Sequence, residues 1–145
     1  MTRVLFVCVK NGGKSQMAAG LFRALVAQDA DPSRWEVGSA GTRVGTSLNA
    51  LSVASLAEVG VDIAGQPLTQ LTPELQRAAD LVVTVGEAEV DPLPGPAYET
   101  WRVDEPSTRG VDGIERMRLV RDDIARQVRA LHDRLAGRAG DGRPA

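Results

Sequence analysis

Val4-Leu-Phe-Val-Cys8 is a short apolar run that opens directly into the loop Val9-Lys-Asn-Gly-Gly13. Helical periodicity follows at once. Met17, Leu21, Phe22, Leu25 and Val26 recur at three- and four-residue steps between Ser15 and about Gln28. A buried strand that passes through a tight Gly-rich loop into a helix constrains the fold more than any other stretch. It is the opening half of a parallel crossover unit.

The alternation continues downstream. Trp35 to Ala40 reads as a second strand, and 47–59 as a second helix with Gly60 in the left-handed position after it. Thr72-Pro73 starts a short helix, with threonine as cap and proline in the first turn. Asp80 to Val85 reads as the third strand, 91–96 as Pro-rich loop, and Ala97 to Val103 as the fourth strand. A long helix spans about 111–136, with Ile114, Met117, Ile124, Val128, Leu131 and Leu135 on one side. This order predicts an α/β fold, with a parallel sheet and helices on both faces. One domain over 1–136 is expected, with 137–145 as a disordered tail. In such sheets ligands bind at the carboxyl ends of the strands, which is where Cys8 lies.

Composition removes several function classes. The chain of 145 residues carries 17 basic and 19 acidic side chains, a near-neutral balance that argues against nucleic-acid binding. No apolar run is long enough for a membrane span, and the N-terminal residues lack a signal-peptide pattern, so a cytoplasmic location is expected. One cysteine excludes an internal disulfide. With one histidine, His132, it also excludes a zinc site of N and S ligands, so no metal is expected. The two lysines, Lys10 and Lys14, both sit in the loop after Cys8, in a chain that otherwise uses arginine.

That loop is chemically specific. Its glycines let successive amides point inward, and the following helix N-terminus adds to an anion nest. Lys10 and Lys14 bring positive charge. A cysteine at the mouth of such a nest is favoured as thiolate and faces the bound oxyanion as a nucleophile. A strand cysteine elsewhere reads more simply as a small buried apolar side chain. The nucleotide-binding pattern Gly, four residues, Gly-Lys-Ser/Thr is a rival. Cys8 replaces its first glycine, and Asp80 stands at the wrong end of its strand to hold magnesium.

Cys8-Val-Lys-Asn-Gly-Gly-Lys-Ser15 resembles the Cys-five-residues-Arg-Ser/Thr loop of the low-molecular-weight protein tyrosine phosphatase and arsenate reductase family. Ser39-Ala-Gly-Thr42, Leu56 to Asp62, Leu71 to Leu75 and Ala79 to Val85 follow the arsenate reductase branch in order and spacing. The resemblance implies a three-layer sandwich whose four parallel strands run in the order 2-1-3-4. It implies Cys8 as nucleophile and Asn11 holding the loop, with Ser15 bonded to the sulfur. It also implies Val9, Lys10, Asn11, Gly12, Gly13 and Lys14 as oxyanion ligands, and Asp104 as general acid. Two positions depart from the family pattern. Lys14 stands in place of arginine and offers one compact charge instead of a planar fork. Glu105 is inserted between Asp104 and Pro106, which leaves Glu105 as the alternative acid.

Family phosphatases carry aromatic residues beside the acid loop. Asp104-Glu-Pro-Ser-Thr-Arg-Gly110 has none, which favours a bare oxyanion such as arsenate over a phosphotyrosine. Arsenate reduction needs a second thiol. The segment Gly86 to Pro92, where one family branch keeps further cysteines, holds none. The resemblance therefore implies an external thiol, mycothiol with a mycoredoxin, and no bound cofactor. Phosphomonoester hydrolysis and non-catalytic oxyanion binding are the alternatives. The protein is expected to be a monomer or weak dimer. His132 and the arginines from 116 onward read as a solvated helical face, with Asp122 and Arg126 as an i,i+4 pair.

Overall fold

The core follows from a period of two along one strand. A computed structural model describes residues 1–140, and in it β1 (Thr2–Cys8) is buried from Val4 to Cys8. Val4 and Phe6 face one side, where they meet Met17, Phe22, Ile124 and Leu131. Leu5 and Val7 face the other and pack with Ala40, Ala79 and Val82. A strand that is apolar on both faces must lie inside a sheet covered on both faces.

β1 is accordingly central. β2 (Trp35–Gly41) pairs with it in parallel, Cys8 opposite Gly41. β3 (Leu81–Val85), buried throughout, pairs on its other side, and β4 (Ala97–Trp101) closes the sheet. The order is β2-β1-β3-β4, all parallel, as the family resemblance implies. α1 (Lys14–Val26) and α4 (Gly113–Gly140) pack together on the Phe6 face, with α2 (Ala50–Ala57) against both. α3 (Pro73–Ala78) covers the Leu5 face through Leu75.

The helix starts are chemically defined. Thr72 Oγ1 accepts the Leu75 N–H at 3.1 Å, with Pro73 in the first turn. Asn49 Oδ1 accepts the Leu51 and Ser52 N–H groups at 2.9 and 3.0 Å. α2 therefore begins at Ala50 rather than 47, and Gly60 takes the expected left-handed φ of +80°. The fourth strand stops at Trp101, two residues short of expectation, and 3-10 turns occur at Pro32–Arg34 and Pro106–Arg109. α4 continues past 136, so 137–140 is helical where a tail was expected. The rest of that expected tail, 141–145, lies outside the described residues. No helix among the described residues is long and apolar enough to cross a membrane.

The last helix departs most from its sequence reading. His132 is largely buried, not solvated. Its Nε2 lies 2.9 Å from Asp29 Oδ1, and its ring packs against Phe22 and Trp35 with centroids 5.9 and 5.7 Å apart. Arg121 is 12% exposed, and it bonds the Ser55 carbonyl and Glu58, each at 2.8 to 2.9 Å. Asp122 accepts from Arg121 and Arg126 pairs with Asp123, so the expected i,i+4 pair does not form. Periodicity cannot separate these residues from a wet helical face, because long arginine stems cover apolar neighbours while their heads find carboxylates.

The ion pairs carry a pH dependence. Arg118, with Arg121, holds the Glu58 carboxyl down from 4.5 to about 2, and Arg116 does the same to Glu105. Both folded values are depressed, so the stabilisation is complete above about pH 4.5 and is lost as pH falls toward 2. Thermal melting temperature is expected to drop over that window. Both side chains are over a third exposed, so the drop shrinks in high salt. A double Glu58→Gln/Glu105→Gln variant should flatten the profile; an unchanged profile would refute the assignment.

Candidate active site

Cys8 ends β1 with 8% of its surface exposed, and two donors reach its sulfur. The Asn11 N–H donates to Sγ at 3.2 Å, and Ser15 Oγ lies 2.8 Å from it. Asn11 Nδ2 donates to the same Ser15 Oγ at 2.8 Å, which leaves the serine hydrogen for the sulfur. The sulfur is thus the acceptor of both bonds.

Asn11 is the hub of this cage. It is fully buried and holds φ at +58°, the one non-glycine left-handed residue among the described residues. Short polar side chains tolerate that conformation best. Its Oδ1 accepts the Thr69 N–H at 2.9 Å and Gln16 Nε2 at 3.2 Å. The Thr69 amide is only a donor, so the orientation of the Asn11 amide is settled and Nδ2 must face Ser15.

The loop is also tied to the chain that follows β2. The Thr42, Arg43 and Gly45 amides donate to the carbonyls of Cys8, Val9 and Lys10 at 3.0, 2.8 and 2.9 Å. Gly41 permits this approach, since a Cβ there would stand 2.7 Å from the Val9 carbonyl oxygen. The carbonyls are thereby turned outward, and the loop amides other than that of Asn11 are left for a ligand. α1 starts at Lys14 from Gly13, and no side chain caps it, whereas α2 and α3 are capped by Asn49 and Thr72. Its first amides have no side-chain partner and point where an oxyanion would complete them.

Lys14 is positioned from outside the loop. Its stem lies across Gly86, at the end of β3, where a Cβ would come within 3.2 Å of Cδ. Gly86 holds φ at +84°, so glycine serves both the turn and the passage of the lysine.

Cys8, Val9, Lys10, Gly12, Gly13 and Lys14 open onto one cleft of about 660 Å³. Asn11 and Ser15 lie beneath it, buried in the cage. Two of the expected site residues separate here. Glu105 lines the cleft and Asp104 does not. The Asp104 carboxylate is gripped by Arg109 through two bonds of 2.8 Å, which hold its carboxyl below the ordinary range. Glu105 accepts from Arg116 Nε and Nη2 at 2.7 and 2.5 Å and from Ser107 Oγ at 2.8 Å. Both carboxylates are therefore ionised at neutral pH in this conformation, and the structure does not bring Asp104 to the cleft as a proton donor.

Sequence reasoning missed the far wall. Arg116, Met117 and Val120 of α4, Leu48 and Ser52 around the start of α2, and Glu87 after β3 are among the residues that line the cleft. Nothing in their spacing marks them, because each group comes from a different element. Among the described residues no aromatic side chain lines the cleft. Among the described residues no group of three or more His, Cys, Asp or Glu is placed to hold a metal.

Known proteins share this fold. Arsenate reductase 1 of Staphylococcus epidermidis is 32% identical over 91% of this chain and 96% of its own. A thioredoxin-dependent arsenate reductase of Corynebacterium glutamicum superposes with a TM-score of 0.74 at 32% identity. The match covers 92% of this chain but only 61% of that larger one. An arsenate reductase in the phosphate-binding state gives a TM-score of 0.75 at 27% identity, covering 92% and 98%. The low molecular weight phosphotyrosine protein phosphatase model matches residues 3–139, from the first strand through the last helix. With the cysteine loop, the strand order and that match all pointing the same way, the chain belongs to the low-molecular-weight phosphotyrosine protein phosphatase family.

Proposed function

We propose that the chain is an arsenate reductase that passes arsenic from Cys8 to an external thiol. The observation that carries this reading is the cleft itself. It presents a caged cysteine and an uncapped helix start, yet no aromatic side chain to flank a phosphotyrosine ring. Relatives named as arsenate reductases support it.

The chemistry is as follows. Arsenate sits on the loop amides of Val9 to Lys14, with Lys10 and Lys14 as charge partners. The Cys8 thiolate attacks arsenic, an S–As bond forms, and one oxygen leaves as hydroxide or, from a protonated arsenate, as water. Leaving as water, the oxygen carries protons that arsenate itself brings, so that route needs no protein acid. An alkoxide leaving from a phosphoester does need one, and both carboxylates nearby are held ionised by arginine. Asp104 takes the acid role only if Arg109 releases it.

With one cysteine in the chain, the two electrons for arsenic come from outside. A low-molecular-weight thiol, mycothiol, displaces Cys8 from arsenic and carries it as a thiol adduct. A second thiol, on a redoxin of the mycoredoxin type, attacks the sulfur of that adduct. A mixed disulfide forms and arsenite departs with both electrons. The cleft is of the size that holds a small organic co-substrate.

The test is arsenite production with mycothiol and mycoredoxin, with thioredoxin, and with no thiol, beside hydrolysis of an aryl phosphate. Arsenite is expected only with the first pair. Arsenite formed equally well with thioredoxin alone overturns the choice of thiol. Rapid aryl phosphate hydrolysis without arsenite overturns the reductase reading.

A further inference from the structure

We propose that Arg116 is an oxyanion-binding residue, and that it supplies across the cleft the guanidinium fork that the loop lacks with lysine at position 14. The proposal rests on the reading of this cleft as an oxyanion site.

Arg116 stands in the first turn of α4, on the wall of the cleft that holds Cys8, Lys10 and Lys14. Its neighbour Met117 brings that turn close to the loop. Met117 Sδ lies 3.5 Å from Ser52 Oγ, and the same Oγ is 3.3 Å from where a Cβ on Gly13 would be. The start of α4 is thus separated from the loop glycine by one serine side chain.

The pairing with Glu105 leaves the useful edge open. Glu105 binds the inner edge of the guanidinium, through Nε and Nη2. Arg116 Nη1 donates to no protein group among the described residues, so the outer Nη1–Nη2 edge is free. Two parallel N–H groups on that edge match two oxygens of a tetrahedral anion, as a lysine ammonium does not. Glu105 is itself held by the Ser107 hydroxyl, so it anchors the arginine on the wall. The charged residues lining the cleft are Lys10, Lys14 and Arg116 against Glu87 and Glu105. Without Arg116 the wall is electrically balanced, and an anion gains nothing from its net charge.

The test is a cycle on inorganic phosphate binding by titration calorimetry, with melting curves to confirm folding. Arg116→Lys keeps the charge and removes the fork. In the wild-type background it is expected to weaken phosphate binding about tenfold, the loss of one charge-assisted bond pair. In a Lys14→Arg background the loop carries its own fork, and the same change is expected to cost less than about twofold. A Glu105→Gln/Arg116→Gln variant guards against effects of an orphaned carboxylate, and it should weaken binding at least as much as Arg116→Lys. Equal affinity of wild type and Arg116→Lys, or equal losses in both backgrounds, overturns the proposal. Arg116-dependent phosphate binding without Cys8-dependent arsenate turnover would instead refute the reductase reading and leave this inference standing.

Discussion

Cys8→Ser is expected to remove arsenate turnover, by on the order of 10⁴-fold or more, while the protein stays folded. The substitution replaces a thiolate by a neutral hydroxyl in the same cage. Ser15 Oγ and the Asn11 amide, at 2.8 and 3.2 Å from the sulfur, still find an acceptor there, so the loop keeps its shape. What disappears is the nucleophile, because an alkyl hydroxyl is a far weaker acid than a thiol and stays protonated at neutral pH. Two measurements check this. Arsenite production in the thiol-coupled assay should fall to background. Mass spectrometry should show an arsenic adduct on the wild type and none on the variant. Phosphate binding should persist, since the amides and lysines that hold the anion are untouched. Equal turnover by both proteins would end the role of Cys8.

Asn11→Ala has the second largest expected effect, and it falls on stability and activity together. The side chain makes three bonds, to Ser15 Oγ, from Gln16 Nε2 and from the Thr69 amide, all in the buried or half-buried interior. Alanine leaves the Thr69 N–H without that partner and the Ser15 hydroxyl without its donor. It also places a Cβ-bearing residue without a compensating polar group at φ +58°. Loss of about 4 kcal/mol is expected, from about 1 kcal/mol for each of the three bonds and about 1 kcal/mol from the backbone. Urea unfolding measures it. Asn11→Gly separates the two causes, because glycine adopts the left-handed conformation freely and should recover about 1 kcal/mol of the loss. Turnover should fall about a hundredfold in both variants, since the serine is no longer oriented on the sulfur. A stability change below about 1 kcal/mol in Asn11→Ala would show that the cage is not held by this residue.

The local parts of the site are legible in the chain itself. Cys8, Asn11 and Ser15 lie within one loop, and a strand–loop–helix turn brings residues at that spacing onto a single sulfur. Thr72-Pro73 and the left-handed Gly60 are legible for the same reason, since their physics involves only near neighbours in the chain. The acid loop is legible only in outline. Its two adjacent carboxylates look alike in sequence. Arg109 takes one through five residues of local chain, while Arg116 takes the other from a different element. The placement of His132 against Asp29 is hidden further, because the pair spans 103 residues.

Local sequence thus specifies the nucleophile, its hydrogen-bonding cage and the two-faced central strand. Those features depend on short-range spacing and on the alternation of side chains along one strand. What surrounds the nucleophile is set by the tertiary fold: Glu105 rather than Asp104 on the wall, Arg116 lining the same cleft as the loop lysines, and Leu48, Met117 and Val120 beside them. These walls come from elements far apart in the chain, and their docking follows from the summed packing of the core. No window of sequence contains that sum. An arginine in a charged helical face has the same local pattern whether it meets water or an active site, and only the packing of α4 against α1 and α2 tells them apart.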